Sequence, residues 1–420
     1  MNRLAVAACA ALLLVPFRTV AQDRATPPPA AKRPAPAAPP AGAAAEREKL
    51  EEEIARELGG AAPAPRPPTR ALGGLAPGAP PGAGAQPTPG ASPYARLLAL
   101  PDISAIGRFA LAYDSYDVEA LSPRGGSYSP EGEPRALFEE LELGLQAVVD
   151  PYVRADAFIA FGPEGVEIEE AFVTTLSLPA GLQVRAGKHY APFGRQTQQH
   201  PHVWEFVDAP LAIGRLLAEE TIGGAGLEVG WLAPLPWFAE LRVAGQSFAP
   251  GEEDPDALTG IARLLQYVSL HETTTLGVGL SAARRDEGRS AFRDLGGVDV
   301  HLRWRPLESR SYLALQGELY GRRFRGVEDA GGTDTGGYGQ VFWKQGAYYG
   351  VGARYDWAPA EGAGAPGTER RIGVLAGWFP SEFQRLRLQV SYDRRPGGDD
   401  GVEALLHLEF GLGAHGAHPF

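Results

Sequence analysis

Residues 298–305 read Val298-Asp299-Val300-His301-Leu302-Arg303-Trp304-Arg305. One parity is Val, Val, Leu, Trp; the other is Asp, His, Arg, Arg. Successive side chains of an extended chain point to opposite faces, so this stretch is a strand with one apolar and one charged face. The pattern recurs on both sides. Leu313, Leu315 and Leu319 oppose Gln316 and Glu318, while Leu386, Leu388, Val390 and Tyr392 oppose Arg387, Gln389, Ser391 and Asp393. Leu141, Leu143 and Leu145 oppose Glu142 and Gln146 in the same way. From Pro101 onward about sixteen such segments, each of roughly 9 to 12 residues, follow one another with almost no helical period.

A soluble sandwich turns its apolar faces inward, whereas a membrane barrel turns them to lipid and keeps its charged faces for the lumen. Segment length separates the two. Strands of soluble proteins usually run about 5 to 6 residues, and a tilted membrane strand needs about 9 to 11. Trp231, Trp304, Trp343, Trp357 and Trp378, with Tyr113, Tyr355 and Tyr392, end strands on the apolar face, as interfacial girdles do. Short turns, such as Asp150-Pro151, Pro234-Leu235-Pro236 and Pro306-Leu307-Glu308, alternate with longer polar segments at 114–136, 191–223, 250–258, 286–294, 323–336, 358–370 and 394–400. Gly162-Pro163-Glu164-Gly165 is tight where a long loop is due, and 260–270 alternates least well. The expected fold is all-β: a transmembrane antiparallel β-barrel of about 16 strands over residues 101–420, with both ends periplasmic.

Two further segments precede it. Met1 to Ala21 has Arg3, an apolar run from Leu4 to Phe17 and a small-residue end, the pattern of a cleaved secretory signal. Cys9, the one cysteine of the 420 residues, lies within it, so no disulfide framework or cysteine zinc site is expected beyond. Residues 22–100 form a periplasmic linker rich in Pro and Ala, expected to be disordered, with 17 of the 38 prolines between Pro27 and Pro93. One short helix is expected at 46–58, striped by Leu50, Ile54 and Leu58 and stopped by Gly59-Gly60. At the other end Leu406, Leu408, Phe410, Leu412 and Phe420 share one parity, and a strand closing on a terminal aromatic resembles the signal read by the barrel-assembly machinery. The formal charge of −12 argues against a nucleic-acid partner.

The run Glu167-Ile168-Glu169-Glu170-Ala171-Phe172, then Leu178 to Lys188, then Phe193-Gly194-Arg195 and, through His200-Pro201-His202-Val203-Trp204-Glu205-Phe206, on to Pro210, resembles the phosphate-selective porin O/P-like group. That resemblance covers about 50 residues. It implies a 16-stranded outer-membrane barrel, often a homotrimer; the channel itself is expected, from its lumenal charges, to pass small hydrophilic solutes or ions by diffusion. Look-alikes ending as this chain does are labelled zinc-regulated TonB-dependent receptors, so a metal-linked receptor or uptake protein is one alternative. The label fits poorly, because a TonB-dependent transporter wraps 22 strands around a plug. A filled structural or adhesin barrel is the other alternative. An enzyme is not expected, since neither Gly-x-Ser-x-Gly nor His-Glu-x-x-His occurs.

The polar faces place Arg154, Arg185, Arg242, Asp299, Arg303, Arg305, Glu318, Arg354, Arg385 and Arg387 toward the lumen. Their near balance of sign suggests a transverse field rather than an anion ladder, and many are expected to pair across strands. The segment 191–223 is expected to fold into the lumen and set the constriction with Arg195, His200, His202, Trp204 and Glu205. No cofactor is required by the pattern. His200 and His202 are the only metal ligands suggested, for zinc, with Glu205 or with His415 and His418. Acidic loop residues, among them Glu252, Glu253, Asp254 and Asp256, would face lipopolysaccharide or bulk water, and the apolar belt would face outer-membrane lipid.

Overall fold

The computed structural model describes residues 101–115, 134–163, 165–217, 222–247, 258–288, 291–325, 332–360, 367–396 and 400–413. The signal 1–21, the linker 22–100 with its helix at 46–58, and Phe420 lie outside the described residues.

Sixteen strands occupy the alternating segments. They are β1 (Asp102–Asp114), β2 (Arg135–Asp150), β3 (Val153–Gly162), β4 (Gly165–Thr175), β5 (Leu182–Tyr190) and β6 (Gly223–Leu232). Next come β7 (Phe238–Ser247), β8 (Leu258–His271), β9 (Thr274–Gly288), β10 (Ala291–Trp304) and β11 (Tyr312–Arg325). The last are β12 (Asp334–Gln345), β13 (Tyr349–Pro359), β14 (Thr368–Ser381), β15 (Gln384–Arg394) and β16 (Gly401–Gly413). Each pairs antiparallel with its sequence neighbours, and β1 closes on β16 from Ser104 opposite Gly413 to Asp114 opposite Glu403. Closure leaves no unpaired edge for lipid to meet.

The segment 260–270 is a full strand, and the turn at Gly162 is as tight as its sequence suggests. The segment 286–294 is not a loop: β9 and β10 run on through it, with Phe292 opposite Asp286. Its polarity reflects cross-strand charge pairing above the apolar belt, where Arg284 Nε donates to Asp294 Oδ1 at 2.7 Å. β11 likewise continues to Arg325, and Arg322 pairs with Asp334 of β12 at 2.9 Å.

Burial is inverted relative to a soluble protein. Leu111, Leu319, Val351, Val374, Leu388 and Leu408 are exposed, while Glu142, Asp299, Glu318, Arg371, Arg387 and Asp393 are buried. Ladders of large apolar side chains open to the surroundings are not tolerated in water over such an area, so this face is the lipid face. On β1 it runs from Ile103 to Tyr113, both exposed; ten steps of about 3.3 Å at the usual tilt of about 40° give a belt about 25 Å tall. Trp231, Trp304 and Trp378 mark its edge beside the short turns, and Tyr113, Tyr355 and Tyr392 mark the edge beside the long connections.

Candidate functional site

The segment between β5 and β6 turns into the lumen immediately after Tyr190. Gly194 makes the turn at φ +64, where a Cβ would stand 2.8 Å from Glu318 Oε2 and 3.2 Å from the Tyr320 hydroxyl. Only glycine suits both the dihedral and that approach. The next two amide groups end on one carboxylate: Arg195 N–H donates to Glu318 Oε2 at 2.8 Å and Gln196 N–H to Oε1 at 2.7 Å. Hydroxyls of Tyr320 and Tyr338 donate to the same carboxylate at 2.7 and 2.6 Å. Two 3₁₀ turns follow, Gln196–Gln198 and Pro201–Val203, and then one short helix, α1 (Leu211–Leu216).

Side chains of this segment form an apolar core inside the barrel. Phe193, Leu211, Ala212, Ile213 and Leu216 pack with wall residues Ala244, Ile261, Leu295 and Tyr320, and Phe206 and Val207 pack with Phe342, Leu375 and Leu405. Charge pairs fasten the rest. Asp208 receives Arg354 NH2 and Gln389 Nε2, each at 2.6 Å, and also pairs with Arg371. Arg387 donates to the carbonyls of Trp204 at 2.7 Å and Glu205 at 3.2 Å. Arg215 of α1 pairs with Glu369 at 2.8 Å.

The structure places most sequence-predicted wall residues on the lumenal face, largely engaged in pairs. Arg154 pairs with Asp156 at 2.6 Å, Arg242 with Glu240 at 2.8 Å, Arg354 with Asp356 at 2.9 Å, and Arg385 with Glu409. Asp299 receives two bonds from Arg263, at 2.6 and 3.0 Å. The guanidinium groups of Arg185 and Arg303 lie 4.7 and 4.4 Å from the ring centres of Phe172 and Tyr312. Arg305 sits exposed past the end of β10. Arg354, Arg387, Asp299 and Glu318 are at most 2% exposed, beneath the segment. Of its own residues, His200, His202 and Trp204 are buried, Glu205 is half-buried, and Arg195 reaches Tyr267 Oη at 3.0 Å.

Two residues near the histidines, Glu139 and Glu169, escape a period-two reading. β2 carries an irregularity where Arg108 opposes Glu140 and Phe109 opposes Phe138, leaving Glu139 as the extra residue. β4 carries another where Phe158 opposes Glu170 and Ile159 opposes Ile168, leaving Glu169 extra. A bulge re-aims a side chain that strict alternation would send outward. Glu139 and Glu140 therefore both reach Arg108, at 3.1 and 3.0 Å, and Glu169 and Glu170 both reach His200, at 3.1 and 2.9 Å. His407 of β16 joins them through Glu139 at 3.0 Å. Burial alone would hold the His200 imidazole neutral, but Glu142, Glu169 and Glu170 outweigh it and raise its pKa well above the ordinary value. His202 goes the other way, because burial exceeds the pull of Glu142.

No family model matches the chain. An uncharacterised protein of Aquifex aeolicus (strain VF5) is 30% identical to it, over 78% of this chain and 82% of that protein. The chain belongs to the family of that protein. Among solved structures, the barrel is similar to an anion-selective porin from Comamonas acidovorans, with a TM-score of 0.53 at 10% identity, covering 74% of this chain and 99% of the other. It is also similar to the outer-membrane channel DcaP of Acinetobacter baumannii, with a TM-score of 0.52 at 11% identity, covering 74% and 97%. At such identities the likeness is one of fold, and the fold is the porin-type barrel.

This family member offers a direct check on where α1 sits. A Cβ placed on Gly336 of β12 would lie 3.2 Å from Ala212 Cβ, just under the usual disulfide separation of about 3.5 to 4.5 Å. With Cys9 the one natural cysteine, an Ala212→Cys/Gly336→Cys variant is expected to form an intramolecular disulfide on export. Thiol labelling before and after reduction would measure it; a pair that stays reduced and reactive would place α1 away from the wall.

Proposed function

We propose that the chain is an outer-membrane channel of porin type that lets small hydrophilic solutes or ions diffuse through a lumen narrowed by residues 191–217. One observation carries this reading: a closed barrel with a lipid-facing belt holds one connection inside its lumen, braced to the wall by Glu318, Arg354, Arg371 and Arg387. Membership of the phosphate-selective porin O/P-like group is the finer proposal. It draws on residues 167–206, which here supply β4, β5 and the first part of the inward segment. The group's anion preference does not follow from it. Glu139, Glu140, Glu142, Glu169 and Glu170 stand on β2 and β4, facing a lumen whose β10 and β12 carry Arg303 and Lys344. Opposed signs across a pore give a transverse field, which orders water and dipolar solutes without strong preference for either ion.

Reconstituted channels are therefore expected to show a small reversal potential under a KCl gradient, and to let small sugars swell liposomes. A strongly anion-selective potential would overturn the transverse-field reading. Liposomes that do not swell would favour the filled structural barrel, for which the apolar clusters of the inward segment speak.

The remaining parts of the proposal concern surroundings. Residues 1–21 act as the export signal and 22–100 as a periplasmic linker. Arg370 and Arg394 face each other across β14 and β15, exposed beside a long connection, where phosphate groups of lipopolysaccharide would relieve their repulsion. A homotrimer is proposed as well; a solved form of OmpT from Vibrio cholerae, with a TM-score of 0.50, is described as a trimer.

A further inference from the structure

The buried cluster that pins the inward segment to β2 and β4 has the arrangement of a metal centre. Oε2 of Glu142 lies 3.1 Å from Nδ1 of His200 and 3.1 Å from Nδ1 of His202. Despite that closeness, Glu142 Oε2 accepts no hydrogen bond of ordinary geometry among the described residues. One donor atom from each of the three groups lies within 4.8 Å of the other two, and all three groups are buried. Oε2 of Glu169 adds a fourth donor atom, 3.1 Å from the same His200 Nδ1. One ring nitrogen carries at most one hydrogen, so it cannot satisfy the Glu142 and Glu169 oxygens together. His200 Nδ1 is hydrogen-bonded to Glu169 Oε2, and the same separations also fit the edges of a coordination polyhedron: four ligands at about 2.0 to 2.1 Å from a tetrahedral zinc stand about 3.3 Å apart.

A second observation is independent of the first. The other nitrogen of His200, Nε2, lies 2.9 Å from Oε2 of Glu170, whose Oε1 accepts the Tyr190 N–H at 2.8 Å. A metal-ligating histidine characteristically gives its remaining N–H to a carboxylate that is itself held, which fixes the ring and its tautomer. The β4 bulge makes this arrangement attainable, because it turns Glu169 and Glu170 to the same ring from adjacent positions. The charge count points the same way. Glu142, Glu169 and Glu170 have imidazoles as their ion-pair partners among the described residues, and neither lysine nor arginine. Three carboxylates around two histidines leave an excess of negative charge that a divalent cation neutralises at the point where the donors meet.

We infer that Glu142, His200 and His202, with Glu169, bind one divalent transition ion of the Zn²⁺ class. Imidazole with carboxylate suits zinc and its first-row neighbours and disfavours calcium or magnesium, which take oxygen-only sets. The ion would join the wall at β2 to the segment carrying both histidines. This inference does not depend on whether the barrel is an open pore, but a bound ion would offset part of the negative side of the proposed transverse field, leaving Glu139 and Glu140 to carry it.

Full-length protein purified in detergent, stripped with a chelator and titrated with ZnCl2 or CoCl2 tests it. Wild type is expected to take up one equivalent of zinc and, with cobalt, to show the intense visible absorption of a four-coordinate site. Glu170→Gln is expected to weaken affinity about 10- to 100-fold while leaving the ligands in place. The His200→Gln/His202→Gln variant should lose both the equivalent and the colour, with heat-modifiable gel migration reporting that the barrel has folded. His407→Ala, which alters a neighbouring buried imidazole, and His415→Ala/His418→Ala, which alters the C-terminal pair, should retain both. Uptake by wild type no greater than by the His200→Gln/His202→Gln variant would overturn the inference. So would uptake that vanishes with His415 and His418, or a cobalt spectrum of a six-coordinate, water-like ion.

Discussion

Replacing Asp208 with alanine is expected to raise single-channel conductance at least about twofold, because the lumenal obstruction is released from one wall. The expectation follows from how many bonds converge on this residue. Its carboxylate pairs with Arg354 at 2.6 Å and with Arg371, and accepts Gln389 Nε2 at 2.6 Å, while its carbonyl accepts Arg354 NH1 at 2.9 Å. These partners come from β13, β14 and β15, so a single side chain ties the inward segment to three strands. Removing one member of a buried pair typically costs about 3 to 5 kcal/mol, since the other charge is left desolvated. Here the orphans are not stranded. Arg354 retains Asp356 at 2.9 Å and Arg371 retains Asp393 at 2.6 Å. The wall should therefore stay closed while the segment loosens, giving larger and noisier currents from a barrel that still migrates as folded. Unchanged conductance in bilayer recordings, with normal folding, would mean that the segment does not set the constriction.

The architecture was legible because one rule, alternation, holds over nearly the whole barrel. Val298 to Arg305 reads as one apolar and one charged face and behaves so: Val300 and Trp304 are exposed, and Asp299 and His301 are buried. The rule fails at two places, each for a local reason. Glu139 and Glu169 are extra residues in bulged strands, and no count by twos can place a side chain correctly across an inserted residue. The result is that two of the four carboxylates placed about His200 and His407, Glu139 and Glu169, were unreadable as lumenal neighbours, although the doubled Glu139-Glu140 and Glu169-Glu170 are visible in the sequence. The apolar core inside the lumen was not read from the sequence. A charged lumenal face suggests a water-filled interior, yet Leu211, Ile213 and Leu216 build an apolar core there. The cue was the apolar run Leu211-Ala212-Ile213-Gly214-Arg215-Leu216-Leu217 inside an otherwise polar connection. The wall residues of that core stand on β7, β8, β9, β10, β11 and β13, far apart in sequence, and no local pattern could pair them.

Placing an arginine at Leu388 is expected to cost about 2 to 4 kcal/mol and to abolish most folded barrel in thin bilayers, the cost of a cation near the midplane of the lipid face. Leu388 is 47% exposed near the middle of β15, opposite Ala376 of β14 and Leu406 of β16, with no charged residue on its face at those positions. Its neighbour in sequence, Arg387, is 1% exposed and hydrogen-bonded inside. One residue along the chain thus separates a position where arginine is required from one where it is excluded, and no soluble fold would make that distinction in this sense. In a sandwich the exposed leucine would accept arginine readily. Gln183→Arg supplies the control: it shares the lumenal parity of Arg185 on β5, and a change within about 0.5 kcal/mol is expected there. Urea titration of tryptophan fluorescence in lipid vesicles, with unheated gel migration alongside, measures both. If Leu388→Arg folded as well as Gln183→Arg, the exposed apolar ladders would have to face something other than lipid.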